Sequence, residues 1–153
     1  MLPAVVPSYP RNVPDLLIAT DSPSVYTDVR AAVEEPGTTI RWARSGRIVL
    51  PALQERVADL VISDLQIGSM GGLAVAMQVT LEGAAGRLEK PVPMLLLLDR
   101  RPDTFLAKRT GVAGWILKPL DPLRLRAAVA AVLAGGTYHD KTLAPGRPDV
   151  LTA

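Results

Sequence analysis

Cysteine is absent from this 153-residue chain, which removes disulfides, thiolate nucleophiles and sulfur-ligated metals. The single histidine, His139, has no serine or acidic relay at a suggestive spacing. A hydrolytic triad is therefore not expected, and a solvated position in the C-terminal tail is. Aromatic residues make up 4% of the chain, too few to sandwich a flavin. A hydroxyl-rich loop at Thr20, Ser22, Ser24 and Thr27 is interrupted by Pro23 and lacks glycine, which argues further against a flavin carrier. The longest purely apolar run, Met94–Leu98, falls far short of the roughly 20 residues that span a bilayer. Met1-Leu2-Pro3-Ala4-Val5-Val6-Pro7 lacks the basic start and long apolar core of a signal peptide. A surplus of one charge is missing too. The formal net charge is +2 with the basic residues scattered, which is not the footprint of a nucleic-acid binder. These absences predict a soluble, cytoplasmic protein with neither membrane nor direct nucleic-acid contact.

What is present is apolar surface: 48% of residues are hydrophobic and 21% charged, enough to build one domain around a real core. Pro3, Pro7, Pro10 and Pro14 make residues 1–14 a flexible arm, because each ring removes a donor and restricts its neighbour. Short apolar runs at 15–20, 38–43, 60–63, 92–98 and 113–117 predict strands. Helical spacing follows at 24–33, 48–56, 73–81, 104–109 and 123–133. Strands apolar on both faces, joined by helices, form a parallel sheet covered on either side. The expected fold is α/β: a doubly wound five-stranded parallel sheet of order 2-1-3-4-5, a flavodoxin-like three-layer sandwich. The domain runs over 15–134 and Gly135-Gly136 ends its last helix. The tail, 135–153, is expected to be too short for a helix-turn-helix.

Chemistry gathers at the strand ends. Asp64 closes the run Leu60-Val61-Ile62-Ser63, Asp21 follows the first strand, and Lys118-Pro119 follows the fifth, with Trp115 just before it. In an open α/β sheet these ends face one crevice. Two carboxylates and an ammonium there would form a small pocket for a phosphoryl group and a metal. Plainer readings stand beside this one. Asp21 suits a helix N-cap ahead of Ser22-Pro23, Lys118 a surface lysine, Trp115 a packing residue, and Trp42 the core or a helix cover.

Three segments, taken in order, carry a resemblance. They are Leu16-Leu17-Ile18-Ala19-Thr20-Asp21-Ser22-Pro23, the stretch 59–73 ending Met70-Gly71-Gly72-Leu73, and Gly111-Val112-Ala113-Gly114-Trp115-Ile116-Leu117-Lys118-Pro119. Together they resemble the receiver domain of two-component response regulators, the CheY-like superfamily, over about residues 15–133. The resemblance implies a protein that is not an enzyme but a phosphorelay component. Asp64 would be the phosphoacceptor. Magnesium would be held by Asp21, Asp64 and the backbone carbonyl of Gln66. Lys118 would bind the phosphate and Trp115 would be the switch aromatic. The implied partners are a histidine kinase or phosphotransfer protein and a downstream protein target, while a pseudo-receiver that signals only by docking would form a homodimer through the fourth and fifth helices and the strand between.

Four positions depart from the family pattern. Thr20 replaces one of two acidic residues, so magnesium would bind weakly. Leu98 stands where a hydroxyl is expected at the end of the fourth strand, with Arg100 and Arg101 as neighbouring cations within chain reach of a phosphate. Gly68 replaces a proline and gives a more flexible turn. Trp115 is larger than the usual Tyr or Phe. The chain thus reads as an atypical stand-alone receiver that accepts a phosphoryl group on Asp64. The alternative is a pseudo-receiver that docks partners without phosphorylation.

Overall fold

The computed structural model describes residues 13–141. Nearly all of the proline-rich arm, and the tail beyond Lys141, lie outside the described residues. Five strands form where apolar runs were expected: β1 Asp15–Ala19, β2 Thr39–Ala43, β3 Leu60–Asp64, β4 Met94–Leu98 and β5 Gly114–Leu117. The helices are α1 Pro23–Val33, α2 Val49–Glu55, α3 Gly72–Ala84, α4 Asp103–Arg109 and α5 Pro122–Leu133, with a short 3-10 turn, Gly46–Ile48, leading into α2. The fourth strand starts later than the sequence suggests, since Pro93 has no N–H for the ladder. Its carbonyl still accepts from Val61 N at 3.0 Å.

All pairings are parallel, and the order β2-β1-β3-β4-β5 is the one expected. A sixth strand, β6 Tyr138–His139, extends the sheet beside β5. It comes from the segment assigned to the tail, and two residues are too few to show any periodicity. Tyr138 N donates to Ala113 O at 3.0 Å and Asp140 N to Trp115 O at 3.2 Å. Gly114 makes the approach possible, because a Cβ there would lie 2.3 Å from Tyr138 O.

Every residue of β3 and β4 is buried, so the core lies on both sides of the sheet. Leu96, Leu98, Trp115 and Leu117 pack with Val75, Ala76 and Val79 of α3 and Ala107 of α4. Leu95, Leu97 and Ile116 pack with Val29 of α1 and Leu125, Ala128 and Val129 of α5. Each fully buried leucine or isoleucine contributes about 1.5–3 kcal/mol, so the strand ends are set in a rigid frame.

Helix starts are set locally. Ser22 caps α1 by accepting from Val25 N, with Pro23 at its first position. The cap is therefore Ser22, not Asp21, and the Asp21 carboxylate is left for the crevice. Asp121 caps α5 by accepting from Leu123 N at 2.8 Å. Among the described residues, no helix is long and apolar enough to cross a membrane.

Candidate functional site

Asp64 is the last residue of β3 and only 3% exposed. A carboxylate held out of water requires compensating partners. Lys118 Nζ donates to Oδ1 at 2.8 Å and Thr20 Oγ1 to Oδ2 at 3.2 Å. Gln66 N makes a longer contact to Oδ1 at 3.4 Å. The lysine arrives from the next-but-one strand, its own N–H fixed on Leu98 O at 2.9 Å. Lys118–Pro119 is a cis peptide bond.

The Lys118 ammonium is shared. Besides Asp64 it donates to Asp99 Oδ1 at 3.1 Å. Burial pulls its pKa down, but the bonds to Asp64 and then Asp99 outweigh burial and hold it above the usual 10.5. Asp99 directly follows β4, so the strand-end rule that locates Asp64 also locates Asp99. Composition gave no reason to separate it from an ordinary strand terminator.

Thr20 is completely buried. Its hydroxyl accepts from Ser22 N at 3.1 Å while donating to Asp64, and its carbonyl accepts from Trp42 Nε1 at 2.9 Å. Trp42 is thus a helix cover and not a core residue, since Tyr26 belongs to α1. It lies half-buried at the sheet edge, stacked on Tyr26 with centroids 4.1 Å apart and with the Arg44 guanidinium 4.0 Å from its ring.

Asp21 is exposed at the same rim, and its Oδ2 accepts from Gly68 N at 2.9 Å. A Cβ on Gly68 would lie 2.9 Å from that oxygen, so the glycine makes room for Asp21, which the expectation of a looser turn did not foresee. Gly68 O in turn accepts from Gly46 N at 3.0 Å. The loop after β3 is therefore tied to both the first and second strand ends. The chain brings Asp21, Asp64, Thr20, Gln66 and Lys118 to one rim.

Two carboxylates and a backbone carbonyl are hard oxygen donors. Magnesium characteristically takes one or two carboxylates and completes its shell with water and phosphate oxygens. Among the described residues no group of three or more His, Cys, Asp or Glu side chains could hold a metal. The donor set fits magnesium completed by a phosphate, and does not fit a cage of protein ligands alone.

Leu98 is fully buried opposite Leu117, in the cluster beneath α3 and α4. Trp115 is 3% exposed in the same cluster, and its Nε1 has no hydrogen-bond partner. His139 is exposed, yet its ring is stacked on Trp115, not surrounded by solvent on both faces. Arg100 pairs with Asp103, Nη2 to Oδ1 at 3.3 Å, and Arg101 lines an outer cleft with Trp115 and His139. A cleft of 360 Å³ between Val33 and Ala130 opens near Pro14 and Leu16, where β1 begins. The charged cluster around Asp64 is at the opposite ends of the strands, on an open rim.

Comparison with known proteins places this geometry in context. The family description "Response regulator receiver domain" matches residues 16–130. The transcriptional regulatory protein ZraR of Escherichia coli is 30% identical over 122 residues, 78% of this chain but 26% of ZraR. Protein PilH of Pseudomonas aeruginosa is 27% identical over 120 residues, 78% of this chain and 98% of PilH. The isolated receiver domain of RcsB from Salmonella enterica, solved with a beryllium trifluoride phosphomimetic, superposes with a TM-score of 0.70 at 17% identity. That match covers 85% of this chain and 95% of the RcsB domain, and it shows the fold.

Proposed function

The chain belongs to the response regulator receiver domain family, and on that premise we propose that it accepts a phosphoryl group on Asp64 and signals through protein contacts. The observation that supports this most is the bond of 2.8 Å from Lys118 Nζ to the buried Asp64 carboxylate. The lysine pairs with the Asp64 carboxylate and provides a cation where phosphoryl charge would develop.

In the proposed step an Asp64 carboxylate oxygen attacks the phosphorus of a phosphohistidine or a small acyl phosphate. A new O–P bond forms while the P–N or P–O bond to the donor breaks, its electron pair leaving with the donor. Lys118 turns its ammonium to a phosphoryl oxygen, and the Thr20 hydroxyl orients the remaining carboxyl oxygen. Asp21, Asp64 and the Gln66 carbonyl would hold magnesium, which neutralises phosphoryl oxygens and aligns them for in-line transfer. The donor would be a histidine kinase or phosphotransfer protein in the cytoplasm. The product would be read by a downstream protein or a second copy of the chain.

A second reading is a docking module without phosphoryl transfer. It draws on Thr20, which supplies a hydroxyl where a third carboxylate would strengthen the metal site, and on the hydrocarbon of Leu98. Intact-mass measurement after incubation with acetyl phosphate and magnesium separates the two. The expected result is one added phosphoryl group on wild type and none on Asp64→Asn. An unchanged wild-type mass, with partner binding retained by Asp64→Ala, selects the docking module.

A further inference from the structure

Asp99 accepts from the Lys118 ammonium at the rim, a contact that phosphoryl transfer to Asp64 does not use. It joins the buried end of β4 to the turn that opens α4. Behind it, Leu98 is fully buried and its carbonyl is fixed by Lys118 N. Ahead of it, residues 100–102 form a turn built on Asp103, the first residue of α4. Arg100 N donates to Asp103 Oδ2 at 3.1 Å, Arg100 Nη2 to Oδ1 at 3.3 Å, and Asp103 N to Arg100 O at 3.1 Å. Asp103 itself is only 3% exposed. A displacement of Asp99 would meet the packed end of β4 on one side and the Arg100–Asp103 bonds that lead into α4 on the other.

The charges around Lys118 supply the displacement. One ammonium serves two carboxylates, at 2.8 Å and 3.1 Å. A phosphoryl group on Asp64 brings more negative charge and more acceptor oxygens than the bare carboxylate. The ammonium cannot satisfy it and Asp99 equally. Asp99 then loses its partner beside a group of the same sign. Leu98 has no polar atom with which to follow the phosphate, so Asp99 is the side chain at the end of β4 that can sense it.

We propose that Asp99 is a positioning residue for Lys118, and that its release when Asp64 is phosphorylated moves the turn at 99–103 and α4. The device works by repulsion: a carboxylate is expelled and no hydroxyl is drawn in. α4 carries Phe105, 68% exposed, and Leu106, 46% exposed, so the moved element bears apolar surface that a partner protein would read. The inference rests on Asp64 as phosphoacceptor.

The test uses magnesium with beryllium trifluoride as probe, followed by amide chemical shifts on the full chain. In wild type, saturation should move the amides of Asp99, Arg100, Arg101, Asp103 and Thr104. Asp99→Asn should bind the probe roughly two- to fivefold more tightly, the range expected when a competing exposed ion pair is removed. Its shifts at 100–104 should fall to less than half those of wild type. Asp99→Glu, which restores the charge, should recover both. Wild-type-sized shifts at 100–104 in Asp99→Asn overturn the proposal whatever the affinity. If neither protein binds the probe, the phosphoacceptor reading is overturned and this inference goes with it.

Discussion

The ring of His139 lies flat on the indole of Trp115, with centroids 4.2 Å apart and planes inclined by 7°. One histidine thus covers the aromatic residue that precedes Lys118, and it does so from a strand contributed by the C-terminal segment. Asp140 anchors that segment: its carboxylate accepts from Leu117 N at 2.9 Å and pairs with Arg124 of α5. The indole, buried in one cluster with Leu98 and Leu117, is covered on one ring face by His139.

Replacing His139 by alanine should therefore uncover Trp115 without unfolding the domain. The expected loss is about 0.5–1.5 kcal/mol, the worth of one aromatic pair. Urea denaturation measures it. A red shift of Trp115 emission in a Trp42→Phe background reports the new exposure. An emission maximum that does not move would mean that His139 contributes no cover.

Thr20→Asp should trade stability for metal affinity. A carboxylate at this fully buried position would face Asp64, and like charges sharing one site oppose ionisation. With chelator present the variant should unfold at lower urea than wild type. With magnesium the order should narrow or reverse, and magnesium should bind about tenfold more tightly. The Trp42 indole, bonded to the Thr20 carbonyl at 2.9 Å, is the natural fluorescent reporter. Equal magnesium affinity in the two proteins would contradict the assignment of this rim to the metal.

Lys118→Met should remove phosphoryl retention and leave Asp64 with the Thr20 hydroxyl as its strongest remaining donor. The lysine pKa is raised in the folded chain. Its stabilisation is therefore complete below the unfolded value, 10.5, and is lost as pH climbs through the higher folded value. Wild type should be the more stable protein at neutral pH. The difference in denaturation midpoint should shrink above pH 10.5. A gap that widens there would invert the assigned sign.

Asp59 offers a control at the opposite ends of the strands. Its carboxylate accepts from Asp15 N at 2.8 Å and pairs with Lys90. Burial raises its pKa, but the Lys90 bond and then the Asp15 N–H outweigh burial and hold it below 3.8. A depressed pKa gives stability that is present above the unfolded value and lost as pH falls through the folded one. Asp59→Asn should cost less than about 1 kcal/mol near neutrality, as expected of a half-exposed pair. Wild type and variant should converge as pH falls below 3.8 towards the lower folded value, and acetyl phosphate labelling of Asp64 at neutral pH should be the same in both.

The sheet was legible in the sequence because β3 and β4 are buried on both faces, which writes them as unbroken apolar runs. Asp64 and Lys118 were legible as charges abutting such runs. β6 was not, since its pairing depends on the missing side chain of Gly114 and no local pattern announces that. Gly68 was misread for a related reason. Sequence records that a residue lacks a side chain, whereas only the fold reveals that the Asp21 carboxylate fills the space. Asp99 escaped because an acidic residue after a strand is common, and its meaning comes from an ammonium nineteen positions away.

Covering β5 with Tyr138–His139 has a consequence for self-association. A sheet margin is a template, and its danger grows with the length of unsatisfied backbone it presents. Here the margin on that flank is a two-residue strand whose following backbone N–H, at Asp140, is already engaged by Trp115 O. Among the described residues a foreign strand arriving from that side finds only two residues of ladder to extend, so growth into a cross-β stack is blunted there.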